Sequence, residues 1–189
     1  GYGNLYAADP DDGARKMADH RGIATVENGA LPDNIPFGDK QFDLIVMFDV
    51  LEHIDDDFAV LNALHNRLKD NGRLFITVPA YKFLWSRLDE INHHKRRYSH
   101  NELKKLICKT GYSVLYSTYF NTILFPAISA VRMINKIFGV QDTVDVKMPP
   151  DIINTVLTRI FSTERFFIPR IFLPFGVSVL IIARKEGRR

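Results

Sequence analysis

The sequence predicts an α/β protein with a mostly parallel, doubly wound sheet, an antiparallel edge strand and a helical insertion before the last strand. Residues 44–48 form a nearly continuous apolar run, which is typical of a strand buried on both faces. Polar groups follow this run at once, beginning with Asp49, and a helical pattern comes next. Strand-like and helix-like segments alternate over residues 4–118. Ligands of such sheets bind at the carboxyl ends of the strands, so Asp49 marks the candidate site.

The first part of the chain gives two short strands and a helix. Residues 4–8 predict a strand that ends at Asp9, and Pro10 then opens a helix. Residues 23–26 predict a second strand. Residues 28–40 contain two prolines and two glycines, which predicts a loop before the central strand.

A second βα unit follows the central strand. Residues 56–69 have the spacing of an amphipathic helix, which Asn71 and Gly72 are expected to close. Its apolar face comprises Phe58, Leu61, Leu64 and Leu68. Residues 73–78 predict the next strand.

The second half begins with a helix start signal. Ser99 and Glu102 form a capping box, which predicts a helix over residues 100–109. Strands are expected at residues 112–118 and 177–183, and these last two strands are predicted to pair in antiparallel fashion at one edge.

Residues 119–175 are too long for a plain connection and predict a helical insertion or cap within a single domain spanning 1–189. One interpretation is a lid over a lipid-like acceptor, with peripheral membrane contact through residues 119–140. The alternative is a helical cap or a homodimer face. Residues 111–131 lack charge but contain several polar side chains, so a strand followed by a helix is favoured over a membrane span.

Composition limits the classes of function. The chain has 189 residues, a net charge of +3 and a sequence pI near 9.0, so an anionic partner is permitted and nucleic-acid binding is not expected. Cys108 is the only cysteine, which excludes an internal disulfide and fits a reducing, cytoplasmic location, with membrane association as an open addition. No Cys/His metal spacing occurs, so the sequence predicts no metal site.

Several short motifs together resemble class I S-adenosylmethionine-dependent methyltransferases of the type 11/12 kind, with a Rossmann-like fold. The motifs lie at residues 7–9 (Ala-Ala-Asp), 29–31 (Gly-Ala-Leu), 42–45 (Phe-Asp-Leu-Ile), 49–53 (Asp-Val-Leu-Glu-His) and 71–74 (Asn-Gly-Arg-Leu). Further motifs resemble a bacterial subgroup associated with glycan or lipid-linked sugar metabolism. They comprise residues 84–86, Asp89, His94, residues 96–98 and residues 174–178.

The resemblance implies S-adenosyl-L-methionine as the cofactor and a small or lipid- or glycan-linked acceptor. Asp9 is expected to bind the ribose hydroxyls, although capping of the following helix is the alternative. Further cofactor contacts are expected from Gly29, Ala30, Leu31, Asp49, Val50 and Leu51.

The acceptor site is expected to draw on the polar and aromatic residues after the next strand. His53 and His94 are candidate general bases, because histidine titrates near neutrality. Arg96 and Arg97 are candidates for binding an anionic acceptor. Tyr81, Trp85 and Tyr98 are expected to line the site or, alternatively, to belong to the core.

Two departures from the family pattern motivate a rival hypothesis. The family's first strand and glycine-rich loop have no counterpart, because Gly1 to Gly3 precede a strand rather than follow one, so roughly 30 upstream residues are expected in the natural protein. Ala30 replaces an acid that binds adenine in many relatives, which leaves that contact to backbone groups. The rival is a non-catalytic scaffold or membrane-surface protein. A nicotinamide dehydrogenase is a weaker alternative.

Overall fold

A computed structural model describes residues 3–139, 150–168 and 170–187 of the chain. Its strands are β1 (Tyr6–Asp9), β2 (Thr25–Asn28), β3 (Phe42–Phe48), β4 (Leu68–Pro79), β5 (Tyr112–Phe120) and β6 (Ser178–Lys185). Its α-helices are α1 (Asp12–His20), α2 (Asp57–Arg67), α3 (Arg87–Ile91), α4 (His100–Lys109), α5 (Phe125–Phe138) and α6 (Asp151–Thr163). Short 3₁₀ helices lie at Leu51–His53, Lys82–Leu84 and Glu164–Phe166.

The main sheet has four strands in the order β3-β4-β6-β5. β3 and β4 run parallel, whereas β6 lies between β4 and β5 and is antiparallel to both. The Rossmann-like α/β class and the antiparallel pairing of the last two strands are therefore confirmed. β1 and β2 form a separate, parallel two-stranded sheet in the described part of the chain.

The core lies between the main sheet and the helices on one of its faces. Leu61 and Leu64 of α2 and Leu103 and Ile107 of α4 are buried in it. The strand side chains buried in the same cluster include Met47, Leu74, Ile76, Val78, Val179 and Ile181. This packing stabilises the strand ends that carry the candidate site.

The prediction that the central strand is buried on both faces is wrong for one face. Leu44, Val46 and Phe48 of β3 are exposed at 53%, 43% and 64%, whereas Met47 on the opposite face is 3% exposed. Side chains alternate along a strand, and the helices of the core cover only the Met47 face. Within the described residues, β3 pairs with β4 alone.

Two local predictions also need correction. The second strand begins at Thr25, two residues later than predicted. Helix α2 ends at Arg67, and Leu68 caps it through its backbone N–H. Asn71, with φ of 62°, lies instead in an irregular part of β4 opposite a register shift in β3. A β-carbon on Gly72 would approach the Lys69 carbonyl oxygen to 2.8 Å, so this turn requires glycine.

Helices α5 and α6 occupy the chain between β5 and β6, where the helical insertion was predicted. Across the described ranges, no helix combines the length and apolarity needed to cross a membrane. Both helices expose large apolar side chains, including Ile137 (73%), Phe138 (74%) and Ile152 (80%).

Candidate functional site

A cavity of about 510 Å³ opens where β3 and β4 end and β6 begins. These strand ends meet at one edge of the sheet because β6 runs antiparallel to its neighbours. The polar side chains that line the cavity are Asp49, Glu52, His53, Asn92, His94, Arg97 and Ser178. The cavity therefore occupies the edge at which open α/β sheets bind ligands.

A single 3₁₀ turn, Leu51–His53, delivers two of these side chains directly after β3. Leu51 is fully buried and anchors the turn in the core. Glu52 is also fully buried, and within residues 3–139, 150–168 and 170–187 neither of its carboxylate oxygens has a hydrogen-bond partner. Burial raises the pKa of Glu52 to about 7, and the nearby Asp49 carboxylate also raises it. Glu52 is thus a carboxyl group that changes charge near neutral pH.

The segment that follows α3 is fixed against the same edge by backbone hydrogen bonds. The Lys95 N–H donates to the Glu52 carbonyl at 2.7 Å, and the Tyr98 N–H donates to the Pro79 carbonyl at 3.0 Å. The His94 N–H donates to the Asp89 carbonyl at 2.8 Å. These bonds hold His94 and Glu52 in a defined relation.

Asp89 is the buried acceptor that organises the histidine and arginine side chains. Its carboxylate accepts from Arg97 Nε at 2.7 Å, from His94 Nδ1 at 2.8 Å and from the Ser86 N–H at 2.8 Å. Burial alone would favour the neutral acid, but the bonds from Arg97 and His94 lower the pKa of Asp89 below its ordinary value. Asp89 is therefore ionised at neutral pH.

An ionised carboxylate only accepts hydrogen bonds, so His94 donates to Asp89 through Nδ1, and its Nε2 is the ring nitrogen on the side of Glu52. His94 Nε2 lies 4.0 Å from Glu52 Oε1. The His53 ring packs edge-on against the His94 ring, with centroids 4.7 Å apart. Burial and the adjacent His94 lower the pKa of His53, so His53 is neutral at pH 7. The cavity thus presents two imidazoles beside one buried carboxyl group.

The two predicted arginines have different environments. Arg97 lines the cavity, is 6% exposed, and donates to Asp89 and to the Ala80 carbonyl. Arg96 points away from the cavity, with Nη1 2.9 Å from Asp57 Oδ2 and Nη2 bonded to the Asp55 carbonyl. Arg96 therefore ties its segment to the start of α2, and its expected contact with the acceptor is corrected.

The predicted aromatic wall lies outside the lining of the cavity. Tyr98 is 5% exposed, and its hydroxyl donates to Asp57 Oδ2 at 2.9 Å. Tyr81 stacks on Tyr119, with ring centroids 5.0 Å apart. Trp85 is 37% exposed at the end of a 3₁₀ turn. Tyr98 thus packs in the core, which is the second of the two roles that the sequence left open.

The predicted ribose and adenine contacts lie on the β1–β2 side of the molecule. Asp9 ends β1, and its Oδ1 accepts from the Asp11 N–H at 2.8 Å, which supports the start of α1. The Ala30 N–H and carbonyl both bond to Asn34, at 2.9 and 2.8 Å. The backbone N–H and carbonyl of Ala30, which were expected to contact adenine, are therefore already hydrogen-bonded to Asn34. Gly29 is required here, because a β-carbon would meet Pro36 Cδ at 2.5 Å.

The predicted cofactor contacts after β3 differ in exposure. Asp49 is exposed, has φ of 50°, and accepts from Thr77 Oγ1 at 3.1 Å. Val50 is 36% exposed, whereas Leu51 is fully buried. The Leu51 side chain therefore packs in the core and leaves its backbone for a ligand, so its contact with the cofactor stays a prediction.

Sequence reasoning did not select Glu52, Asp89 or Asn92 as site residues. Glu52 stood beside a selected histidine, and burial without a partner is a property that only the fold reveals. The signal for Asp89 was its position three residues after Ser86, since the two form a capping box.

The comparisons with known proteins agree with this architecture. A family model described as a methyltransferase domain matches residues 1–117. A search of curated proteins found no match. The family match confirms the predicted family and, with it, the predicted cofactor. Many solved structures match the fold, and several of their names describe methyltransferases, although one is a cyclase.

Three solved structures illustrate the likeness. A methyltransferase from Mesorhizobium loti has a TM-score of 0.63 at 13% identity, covering 98% of this chain and 82% of that one. The protein bound to the Trm112 methyltransferase activator of Haloferax volcanii has a TM-score of 0.62 at 16% identity, covering 100% and 74%. Phosphoethanolamine N-methyltransferase 2 of Haemonchus contortus, solved with S-adenosyl-L-methionine, has a TM-score of 0.57 at 14% identity, covering 97% and 44%. At these identities the likeness shows the fold.

Proposed function

The chain belongs to the methyltransferase-domain family, and we propose that it methylates a hydroxyl or amine group of an acceptor bound in the cavity beside Glu52, His53 and His94. The observation that supports this proposal is the buried carboxyl group of Glu52, which faces two imidazoles and has no hydrogen-bond partner in the described part of the chain. Unpartnered buried carboxyl groups are costly, and they concentrate at functional sites.

The residues present fit the cofactor at two places. The carboxylate of Asp9, at the end of β1, would bind ribose hydroxyls, and Gly29 and Leu31 would contact the adenine. Asp49 and Val50, at the end of β3, would lie against the cofactor on the cavity side. S-adenosyl-L-methionine supplies an activated methyl group on a sulfonium, so the protein's main task is to position the acceptor and exclude water.

The acceptor loses a proton when oxygen or a protonated amine is methylated, and the cavity has groups that can take it. Asp89 holds the Nδ1 proton of His94, so Nε2 is the nitrogen of this ring through which a proton can be exchanged with the acceptor. Glu52, with a pKa of about 7, is matched to proton transfer near neutral pH. We assign proton transfer to this pair, with His53 positioning the acceptor.

The charges around the cavity favour a neutral acceptor group over an anionic one. Arg97 is already paired with Asp89, and Arg96 lies on the far side of its segment. Asp49 and Glu52 add negative charge to the lining. A hydroxyl of a small molecule or of a sugar fits this environment better than a carboxylate or phosphate.

A lipid-linked acceptor is supported by the surface of α5 and α6. Ile137, Phe138 and Ile152 are more than two-thirds exposed, and the exposed cations Lys136 and Arg159 lie on the same helices. Apolar and cationic side chains together suit an anionic lipid surface. Vesicle flotation with anionic lipid tests this: Ile137→Glu with Phe138→Glu should abolish flotation, and Lys16→Glu on α1 is the charge control. Equal flotation of both variants would remove the lipid-surface proposal.

The methyltransferase proposal is tested by titrating S-adenosylhomocysteine into the full-length protein and then measuring its release from S-adenosylmethionine with hydroxyl and amine acceptors. We expect binding with Kd of millimolar or tighter. Glu52→Gln and His94→Gln should retain that binding and lose turnover, and Glu90→Gln on exposed α3 is the matched control. Absence of binding by protein with a native circular-dichroism spectrum would refute methyl transfer and leave the scaffold hypothesis.

A further inference from the structure

The cluster of Glu52, His53 and His94 has the donor set of a metal site. One ligand atom from each residue, a carboxylate oxygen or an imidazole nitrogen, lies within 4.8 Å of the other two. Within the part of the chain that the structure describes, this is the one such group of three. No metal motif is visible in the sequence, because the candidate ligands come from two segments about 40 residues apart rather than from a short spacing.

The carboxylate of Glu52 has no hydrogen-bond partner among the residues that the structure describes. It is fully buried, and neither oxygen accepts a hydrogen bond. Its nearest cationic candidate, His94 Nε2, lies at 4.0 Å, beyond hydrogen-bond range. A divalent cation between Glu52 and the imidazoles would supply the missing charge and coordinate the free oxygens.

His94 is oriented as metal-binding histidines are. Its Nδ1 donates to Asp89 at 2.8 Å, which fixes the tautomer and turns Nε2 toward Glu52. Carboxylates that hold the distal nitrogen of a ligating histidine raise its basicity and set its ring orientation. Asp89 is in turn held by Arg97 Nε at 2.7 Å and by Ser86. The support around His94 is thus already in place.

The backbone keeps the two ligand-bearing segments together. The Lys95 N–H donates to the Glu52 carbonyl at 2.7 Å, one residue from His94. Bonds of about 2.1 Å to a metal place neighbouring ligand atoms roughly 3.4 Å apart, so the cluster must close by about 1 Å. His53 is the exposed member of the three, and a change in its side-chain rotamer can supply that movement.

We propose that Glu52, His53 and His94 bind one divalent transition-metal ion that keeps an open position facing the cavity. Two imidazoles and one carboxylate favour Zn²⁺, Mn²⁺, Fe²⁺ or Co²⁺ over Mg²⁺ and Ca²⁺. With the ion bound, Glu52 and His94 would act as ligands and not as the proton acceptors of the metal-free cavity. The open position would take the oxygen of a hydroxyl acceptor and lower the pKa of that hydroxyl, whose proton would leave to solvent water in the cavity. The resulting oxyanion would attack the sulfonium methyl group and release S-adenosylhomocysteine. This role of the ion rests on the proposed function, whereas binding of the ion does not.

The test uses metal-stripped full-length protein titrated with Co²⁺ and followed by visible absorption, with Zn²⁺ calorimetry in parallel. We expect one equivalent to bind, with affinity falling at least 100-fold in Glu52→Gln and in His94→Gln. His53→Gln, at an exposed position, should weaken binding at least 10-fold without affecting folding. His93→Asn removes an adjacent exposed histidine, keeps a residue that tolerates its φ of 56°, and should leave binding unchanged.

Absence of binding by the wild-type protein, or equal affinity in all four variants, would overturn the metal proposal. S-adenosylhomocysteine titrated into the same samples separates the two proposals. Cofactor binding without metal binding refutes the metal site alone. Metal binding that depends on Glu52 and His94, without cofactor binding, supports the site and refutes methyl transfer.

Discussion

The buried carboxyl group of Glu52 makes the stability of the protein depend on pH. The proposed perturbation is Glu52→Gln, studied with a chelator so that no metal ion contributes. Glutamine keeps the size of the side chain but cannot ionise. Any free-energy cost of burying the glutamine amide is independent of pH. The difference in unfolding free energy between variant and wild type, compared at two pH values, therefore isolates the ionisation of Glu52.

The magnitude follows from the shift in the pKa of Glu52. Burial raises it from 4.5 to about 7, so the folded state binds the proton more tightly than the unfolded chain does. Its contribution is therefore fully present below the unfolded value and is lost as the pH rises through the folded value. The full shift corresponds to about 3.5 kcal/mol, at ~1.4 kcal/mol per pKa unit. About 2.5 kcal/mol of that loss falls between about pH 5 and about pH 8.

The assay is urea unfolding of the wild type and of Glu52→Gln at these two pH values. We expect the stability of the variant relative to the wild type to rise by about 2.5 kcal/mol from the lower to the higher pH. Glu90→Gln makes the same chemical change on the exposed surface of α3 and should show no such rise. A relative stability that stays constant within about 0.5 kcal/mol would refute the reasoning, because Glu52 would then ionise as freely when folded as when unfolded.

Three further substitutions test the environment of the site. Asp89→Asn should lower the free energy of unfolding in urea by about 3 kcal/mol, because it leaves Arg97 buried without its counter-ion. Combining it with Arg97→Met should recover part of that stability. If the destabilisations of the two single variants simply add in the double variant, this pairing is contradicted. Gly29→Ala should cost about 1–3 kcal/mol, since the added methyl group meets Pro36, and should weaken binding of S-adenosylhomocysteine. Gly187→Ala, which has nothing within 4 Å of the added carbon, is the calorimetric control. Arg96→Met should lower the free energy of unfolding by about 1 kcal/mol and leave the KM for an acceptor unchanged. A raised KM would show instead that Arg96 contacts the acceptor.

The sequence predicted the elements whose signals are local. Helix α4 matches its prediction to the residue, because Ser99 and Glu102 form the expected capping box. The predicted end of α2 was wrong, because Asn71 and Gly72 form a turn within β4 instead. That turn requires glycine because a side chain at position 72 would collide with the Lys69 carbonyl group. The exposed face of β3 was missed because an apolar run does not show which of its faces the helices will cover.

For the candidate site, the sequence placed residues at the right edge but could not give their directions. Arg96 and Arg97 are adjacent in an extended segment, so their side chains point to opposite sides. One side holds Asp57 and the other holds Asp89, and that difference arises from tertiary packing. Glu52 was passed over for the same reason, since nothing in the local pattern shows that its carboxylate lacks a partner.

The position of Asp89 links the helical insertion to the chemistry of the cavity. Arg132 of α5 lies 4.0 Å from Asp89 and donates to the Leu84 carbonyl, so the insertion reaches the carboxylate that orients His94. Movement of α5 would therefore alter the charge around Asp89 and, through it, the basicity of the imidazole that faces Glu52. The surface that we propose for a lipid carrier and the cluster that we propose for proton transfer are thus joined through one buried carboxylate, which would give the insertion a physical route to influence turnover.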